Sequence, residues 1–325
     1  MGERFVGAGG WGYFGGGLES YARAFRFVEV NAGFYRPIPE TFARRWRTRV
    51  PPDFTFAVKA FRGVSHVDGL RGTAPARAAF AHDVRIAKIL RAPFLILETP
   101  ASLPLEAPQV AGLRDLVGLA ADGPRLGLEA RAHRSGPLPR AAQKAMEDLG
   151  VLDVVDLSQS APRVANDTVY SRLFGPGPHN VYEFDDDELR AIDRAGQDAV
   201  QVAFTFHGVR MYKDAARFVT FKRTGSFPAA TSARGVASLD EVLRPDATFP
   251  ATREALLRDH GWKVVDADEG TRVHASRFLG ALPDRTFPSL DEVLAEVDES
   301  AVLVKRLPGG ELASQTTLHG PLGIL

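Results

Sequence analysis

Eight times over roughly the first 225 residues, a short run of β-branched and aromatic residues is followed by a longer stretch with helical apolar spacing. No other feature restricts the fold as strongly. A helix after every strand carries the chain back across the sheet, so successive strands must pair in parallel, and eight such units is the number at which a parallel sheet closes on itself. The predicted strands are 4–8, 27–31, 54–59, 94–98, 126–131, 151–157, 169–174 and 199–206; helices are expected at 40–50, 75–90, 110–121, 139–149 and 186–195. The expected fold class is therefore α/β, a (β/α)8 TIM barrel over residues 1–225. An open doubly wound sheet competes, but Gly7, Gly9, Gly10 and Gly12 lack the dinucleotide-binding spacing and enclose Trp11.

After residue 225 the rhythm breaks. Residues 226–237 are rich in Ser, Ala, Gly and Thr and read as a linker; residues 238–325 read as a small, mainly helical accessory domain, loose after Pro308. Ser238 and Ser289 each precede Leu-Asp-Glu-Val and are expected to cap helices, as is Thr252. On the last barrel helix, Arg217, Lys222 and Arg223 read as a solvated face.

Composition excludes several functions. Basic and acidic residues number 40 each, so no global field draws the chain to nucleic acid or to anionic membrane. Cysteine is absent, which removes thiolate nucleophiles, disulfides and cysteine-bound zinc. With no leader-like start and no long apolar run, a cytoplasmic location without membrane contact is expected.

In such a barrel, charged residues near strand C-termini converge on one mouth and call for a reason. Glu29 and Asn31 stand two apart on the second predicted strand, as do Glu129 and Arg131 on the fifth, so each pair shares a side. Lys59, Glu98, Arg172 and His207 fall at the ends of other strands, with His66 in the loop after the third. Glu29, Glu129 and His66 are the candidate catalytic groups; Lys59, Arg131 and Arg172 are candidates for holding an anion; Trp11 and Tyr35 are candidates for stacking a ring. The same charges also read as a purely structural ion-pair network. No serine has a nucleophile elbow, and the Asp156, Ser158, Gln159 group ends strand six without one.

These residues carry a resemblance. Gly9-Gly-Trp-Gly-Tyr13, Phe27-Val-Glu-Val-Asn31 running into Phe34-Tyr-Arg36, Pro39-Glu-Thr41 with Trp46, and Phe54-Thr-Phe-Ala-Val-Lys59 followed by His66 together resemble the YecE-like TIM-barrel family, domain-of-unknown-function family 72. Farther along the match thins. Glu129-Ala-Arg131 stands for Glu-Phe-Arg, Leu97-Glu-Thr-Pro100 for Gln-Leu-Pro-Pro, Arg172-Leu-Phe-Gly175 for Arg-Leu-His-Gly, and Phe204-Thr-Phe-His207 for a Phe-Asn-Asn segment. The resemblance implies the barrel but no reaction.

Three readings follow. The first is an enzyme or former enzyme that binds a phosphate-bearing ligand, a small molecule or nucleic acid, and hydrolyses a phosphoester. The second is a sugar isomerase or epimerase using a divalent metal on Glu29, Glu98 and Glu129; a metal is the less favoured cofactor and none is assigned. The third is a non-catalytic ligand-binding or scaffold protein whose C-terminal domain docks a protein partner.

Overall fold

The computed structural model describes residues 2–177 and 180–297. Eight strands, β1 (Glu3–Ala8), β2 (Phe27–Val30), β3 (Thr55–Lys59), β4 (Phe94–Glu98), β5 (Arg125–Glu129), β6 (Leu152–Asp153), β7 (Thr168–Leu173) and β8 (Gln201–Phe206), form one parallel sheet. The sheet order runs from β6 through β5, β4, β3, β2, β1 and β8 to β7. A single bridge between Val155 and Ser171, with the Arg172 N–H donating to the Val155 carbonyl at 3.0 Å, joins the two ends and closes the barrel.

Several expected strands are too long, three of them at the ends that face the mouth. The sixth reduces to Leu152–Asp153 plus the Val155 bridge, because Asp156 is spent on a tight turn: its carboxylate accepts from the Ser158, Phe174 and Gly175 backbone N–H groups. The second ends at Val30, with Asn31 already in a helical turn that opens α2 (Ala32–Tyr35). The fifth ends at Glu129, and Arg131 begins the 3-10 turn Arg131–His133.

The crossover helices are α1 (Gly17–Ala24), α3 (Glu40–Thr48), α4 (Ala74–Leu90), α5 (Ala107–Leu119), α6 (Arg140–Leu149), α7 (Asp186–Ala195) and α8 (Met211–Thr224). Their starts follow local chemistry. Pro39 precedes α3, and reciprocal capping boxes open α5 (Glu106 with Gln109) and α7 (Asp185 with Glu188). On α8, Lys222 reaches Asp193, but Arg217 is not on a solvated face: it is buried against Asp186 and Asp214, because α7 and the segment beyond α8 cover that side.

Two apolar regions fill the barrel. Outside the strands, the helices pack a large cluster that includes Tyr21, Phe54, Phe80 and Phe218. Inside, Phe5, Phe27, Phe94 and Tyr170 meet mostly edge to face, with Ile96, Leu152 and Val154 beside them. Gly127 belongs to this packing, since a Cβ there would lie 2.7 Å from Val154 and 2.8 Å from Ile96.

Beyond the barrel the chain forms α9 (Val236–Leu243), α10 (Arg253–His260), α11 (Ser276–Leu279) and α12 (Leu290–Glu296). Two short antiparallel ladders join them: β9 (Ala251–Thr252) with β12 (Thr286–Phe287), and β10 (Val264–Asp266) with β11 (Arg272–His274). Leu239, Leu256, Val265, Phe278, Phe287 and Val293 make a separate apolar cluster here. Thr252 and Ser289 cap α10 and α12 as expected. Ser238 does not cap; it lies inside α9, where its hydroxyl accepts the Asp266 N–H at 2.9 Å. The segment read as a linker is bonded into this module, with the Ala230 and Thr231 N–H groups and the Thr231 hydroxyl all donating to Asp266. The expected looseness after Pro308 lies outside the described residues.

The Tyr21 hydroxyl, fully buried, accepts the Ala8 N–H and donates to the Phe27 carbonyl, both at 2.8 Å, and so ties α1 to the ends of β1 and β2. Tyr21→Phe removes this buried hydroxyl bridge and is expected to cost about 1–3 kcal/mol in urea unfolding. A loss below the error of that measurement would show that the bridge is not stabilising.

Candidate functional site

Strand periodicity decides what lies inside the barrel. Residues two apart share a side, so Phe27 and Glu29 both point inward, as do Phe94, Ile96 and Glu98, and Tyr170 and Arg172. The lower layers are apolar and the top layer is ionic. Tyr170 marks the boundary: its ring packs on Phe94 while its hydroxyl donates to Glu29 at 2.8 Å.

The ionic layer centres on Arg172, whose guanidinium is 3% exposed. It meets Glu29 at 3.2 Å, Glu98 at 2.6 Å, and Glu129 in a short contact. The same Glu98 oxygen also receives Lys59 at 2.6 Å and Arg131 at 3.0 Å, and Glu129 receives Arg131 at 3.0 Å and Arg134 at 3.5 Å. Three buried carboxylates thus face the cations of Arg172, Lys59 and Arg131, and their charges sum to zero, with Arg134 at the rim.

Titration follows from this pairing. Burial pushes the Glu98 and Glu129 carboxyls up, but Arg172, with Lys59 or Arg131, outweighs it and holds both below the usual carboxylate range. Burial opposes the charge on Arg172, yet its three carboxylates raise its pKa well above the ordinary guanidinium value. Burial and the neighbouring Arg172 lower Lys59, and the same two causes hold His207 well below the usual imidazole value, hence neutral at pH 7. His66 is lowered by burial, with Glu98 opposing and Lys59 reinforcing.

Above this layer opens a cleft of about 940 Å³. Of the sequence candidates, Asn31, Tyr35, Lys59, His66, Arg131, Arg172 and His207 line it. Glu29 and Glu129 lie beneath, bound to Arg172. Trp11 is not a cleft wall; it stands edge-on to Trp46, with ring centroids 5.1 Å apart, and packs near Phe56. Exposed aromatics at the mouth are instead Tyr13, 92% exposed, and Tyr35, 74% exposed. Reading the sequence also missed Phe174, which stacks on His207 at 4.7 Å, and Asn180, Met211 and Tyr212, because loops and the first turn of α8, for which no helix was expected, gave no period to place them.

Four buried polar atoms at the floor make no hydrogen bond: Glu29 Oε1, Arg172 Nε, Asn31 Oδ1 and His207 Nε2, the last standing 3.6 Å from Glu29 Oε1. Asn31 donates its amide N–H to the Gly9 carbonyl at 2.8 Å, which orients the amide and leaves its oxygen unbonded. Gly9 is required beside it, since a Cβ there would lie 2.2 Å from His207.

The family model described as "Protein of unknown function DUF72" matches residues 15–236. The chain belongs to the DUF72 family. Among solved structures, a DUF72 protein from Enterococcus faecalis is 16% identical with a TM-score of 0.55, covering 69% of this chain and 98% of its own. A DUF72 protein from Thermotoga maritima is 18% identical with a TM-score of 0.54, covering 68% and 99%. At these identities the likeness shows the shared barrel fold. No curated protein matches the chain.

The carboxylates named for a divalent metal do not suit one, because all three are already bound to a buried guanidinium that a cation would have to displace. Arg172→Met would leave them buried without their main partner and is expected to cost about 3–5 kcal/mol in urea unfolding at pH 7. The deficit should narrow as pH falls and the carboxylates protonate. A deficit independent of pH would mean that charge pairing is not what Arg172 supplies.

Behind the loop that carries His66, buried Asp83 of α4 accepts the Phe61 N–H at 2.8 Å, and burial raises its pKa to about 7 from the usual 3.8. The folded state therefore keeps a proton that the unfolded chain releases at lower pH, so this group's contribution to stability is present below about 4 and lost as pH rises to about 7. Asp83→Asn should gain stability relative to the wild type across that window and hold a constant difference above it. Denaturation series at pH 4.5 and 7.5 check this, and an unchanged difference contradicts it.

Proposed function

We propose that the barrel mouth binds an uncharged, hydroxyl-rich ligand of the carbohydrate class, and that the protein is an enzyme in which His66 moves a proton on that ligand. The observation that carries this reading is that Asn31 Oδ1 and His207 Nε2, both on residues lining the cleft, are buried without a hydrogen bond beside a charge layer that is already neutral. An unsatisfied buried acceptor costs about 1–3 kcal/mol. A hydroxyl relieves both atoms, since it donates to the Asn31 oxygen and either donates to or accepts from a neutral imidazole. The exposed ring of Tyr35 suits the apolar face of a sugar, with Phe34 and Phe174 adding buried apolar lining.

A phosphate-bearing ligand fits less well. Ionised phosphate has no proton for Asn31 Oδ1, and Lys59, Arg131 and Arg172 each already bind a carboxylate. For catalysis, His66 lines the cleft with its Nδ1 held 3.0 Å from the Ser65 hydroxyl, and burial favours the neutral form that accepts a proton near pH 7. Lys59, itself lowered and 3.7 Å from the Phe34 ring centre, stands on the same wall.

The test is a thermal-shift panel of neutral mono- and disaccharides and polyols, against inorganic phosphate, sugar phosphates and short single-stranded DNA at low salt. A neutral sugar at 100 times its Kd is expected to stabilise the protein by about 2.7 kcal/mol, and His207→Ala should abolish the shift. Stabilisation by phosphate or DNA alone would overturn the reading. With a bound sugar in hand, His66→Ala should keep binding but stop carbon–hydrogen exchange with solvent deuterium. No exchange by the wild type would leave a binding protein rather than an enzyme.

A further inference from the structure

One wall of the cleft is made by the last two crossovers: Asn180 from the β7–α7 connection, Gly208 and Val209 from the β8–α8 connection, and Met211 and Tyr212 from the first turn of α8. The two are joined, as the Val209 N–H donates to the Asn180 carbonyl at 3.1 Å and Gly208, at φ 118°, leaves no room for a Cβ against that same oxygen. Besides their bonds within the barrel, both crossovers also touch the C-terminal module. Arg272 of β11 donates to Asp186 at 2.9 Å and to the Phe227 carbonyl at 2.8 Å, and Asp186 also receives Arg217 at 2.6 Å. The Val264 N–H donates to the Glu183 carboxylate at 3.1 Å, His274 Nε2 lies 2.9 Å from the Glu183 carbonyl oxygen, and the His274 ring packs on Tyr182 at 5.2 Å. From the β8–α8 connection Arg210 lies over Trp262 at 5.9 Å, and within the barrel Lys213 of α8 binds Glu183 at 2.5 Å.

We infer that the module after residue 235 is a buttress of the binding site, with Arg272 and His274 as positioning residues that hold the Asn180 and Val209 wall in its ligand-binding shape. Most of these contacts are buried and charge-assisted, so they set geometry as well as adhesion. Asp185, Glu188 and His274 come within 4.8 Å of one another in this junction. They read as part of the clamp rather than as a metal site, because Asp185 and Glu188 already cap α7 reciprocally and Glu188 also accepts the Tyr182 hydroxyl. The family match ends at residue 236, so the device belongs to what this chain adds to the family's barrel.

The effect on ligand rests on the carbohydrate reading, whereas the buttress itself is measurable without any ligand. Hydrogen–deuterium exchange on the full chain compares wild type with Arg272→Met, Arg272→Lys and the gentler Trp262→Ala, which keeps the test alive should Arg272→Met fail to fold. Amides of residues 180–186 and 207–212 are expected to exchange about tenfold faster in Arg272→Met, with β3, β4 and β5 unchanged and Arg272→Lys recovering most of the protection. Unchanged exchange in those two segments, or a uniform rise across the barrel, overturns the inference. The neutral sugars of the panel should bind Arg272→Met at least tenfold more weakly. Faster exchange with undiminished sugar affinity also overturns it, whereas faster exchange in a protein that binds no sugar at all sinks only the carbohydrate reading.

Discussion

Everything at the mouth of this barrel depends on one buried guanidinium. Arg172 rises from β7 into the centre of the top layer, and Glu29, Glu98 and Glu129 reach it from three other strands. Carboxylates brought together in a barrel interior would repel each other and take up protons unless a cation stood among them. With Arg172 in place Glu98 and Glu129 stay ionised, and between them they also hold Lys59, Arg131 and Arg134. The network therefore fixes the floor of the cleft rather than offering free charges to a ligand.

That arrangement changes how the site is read. Cations at the ends of parallel strands invite an anion, and acids in the same place invite a metal, when each is considered singly. Considered together they neutralise one another, and in the proposed reading recognition passes to the groups left over: an amide oxygen, a neutral imidazole and a rim of aromatic rings. Such groups select for hydroxyls and ring faces. Specificity of this kind is exacting, because a buried acceptor left unmatched costs more than a matched one contributes.

The C-terminal module enters the same logic from outside. A βα loop on a barrel is ordinarily the mobile, variable part of the site. Here the β7–α7 loop and the start of α7 are pinned from behind by bonds to Glu183 and Asp186, whose partners lie some eighty residues further along the chain. Arg217 shows how far this reaches: on a bare barrel its helix face would meet water, but Asp186 and the covering segment make it an interior residue.

The sequence by itself determined the alternation that closes the barrel and, through the two-residue period of strands, which side chains stand in its top layer; Glu29, Lys59, Glu98, Glu129 and Arg172 were all legible because each sits at the end of an apolar run. Helix starts at Pro39, Asp185, Thr252 and Ser289 were legible for the same reason, that caps act over three or four residues. Tertiary structure alone decided who pairs with whom. Whether Arg172 faces a ligand or three carboxylates, whether Trp11 stacks on a substrate or on Trp46, and whether the tail hangs free or braces the cleft are questions of distance between residues far apart in the chain. Ion pairs, ring contacts and cavities depend on ångströms that local periodicity does not encode.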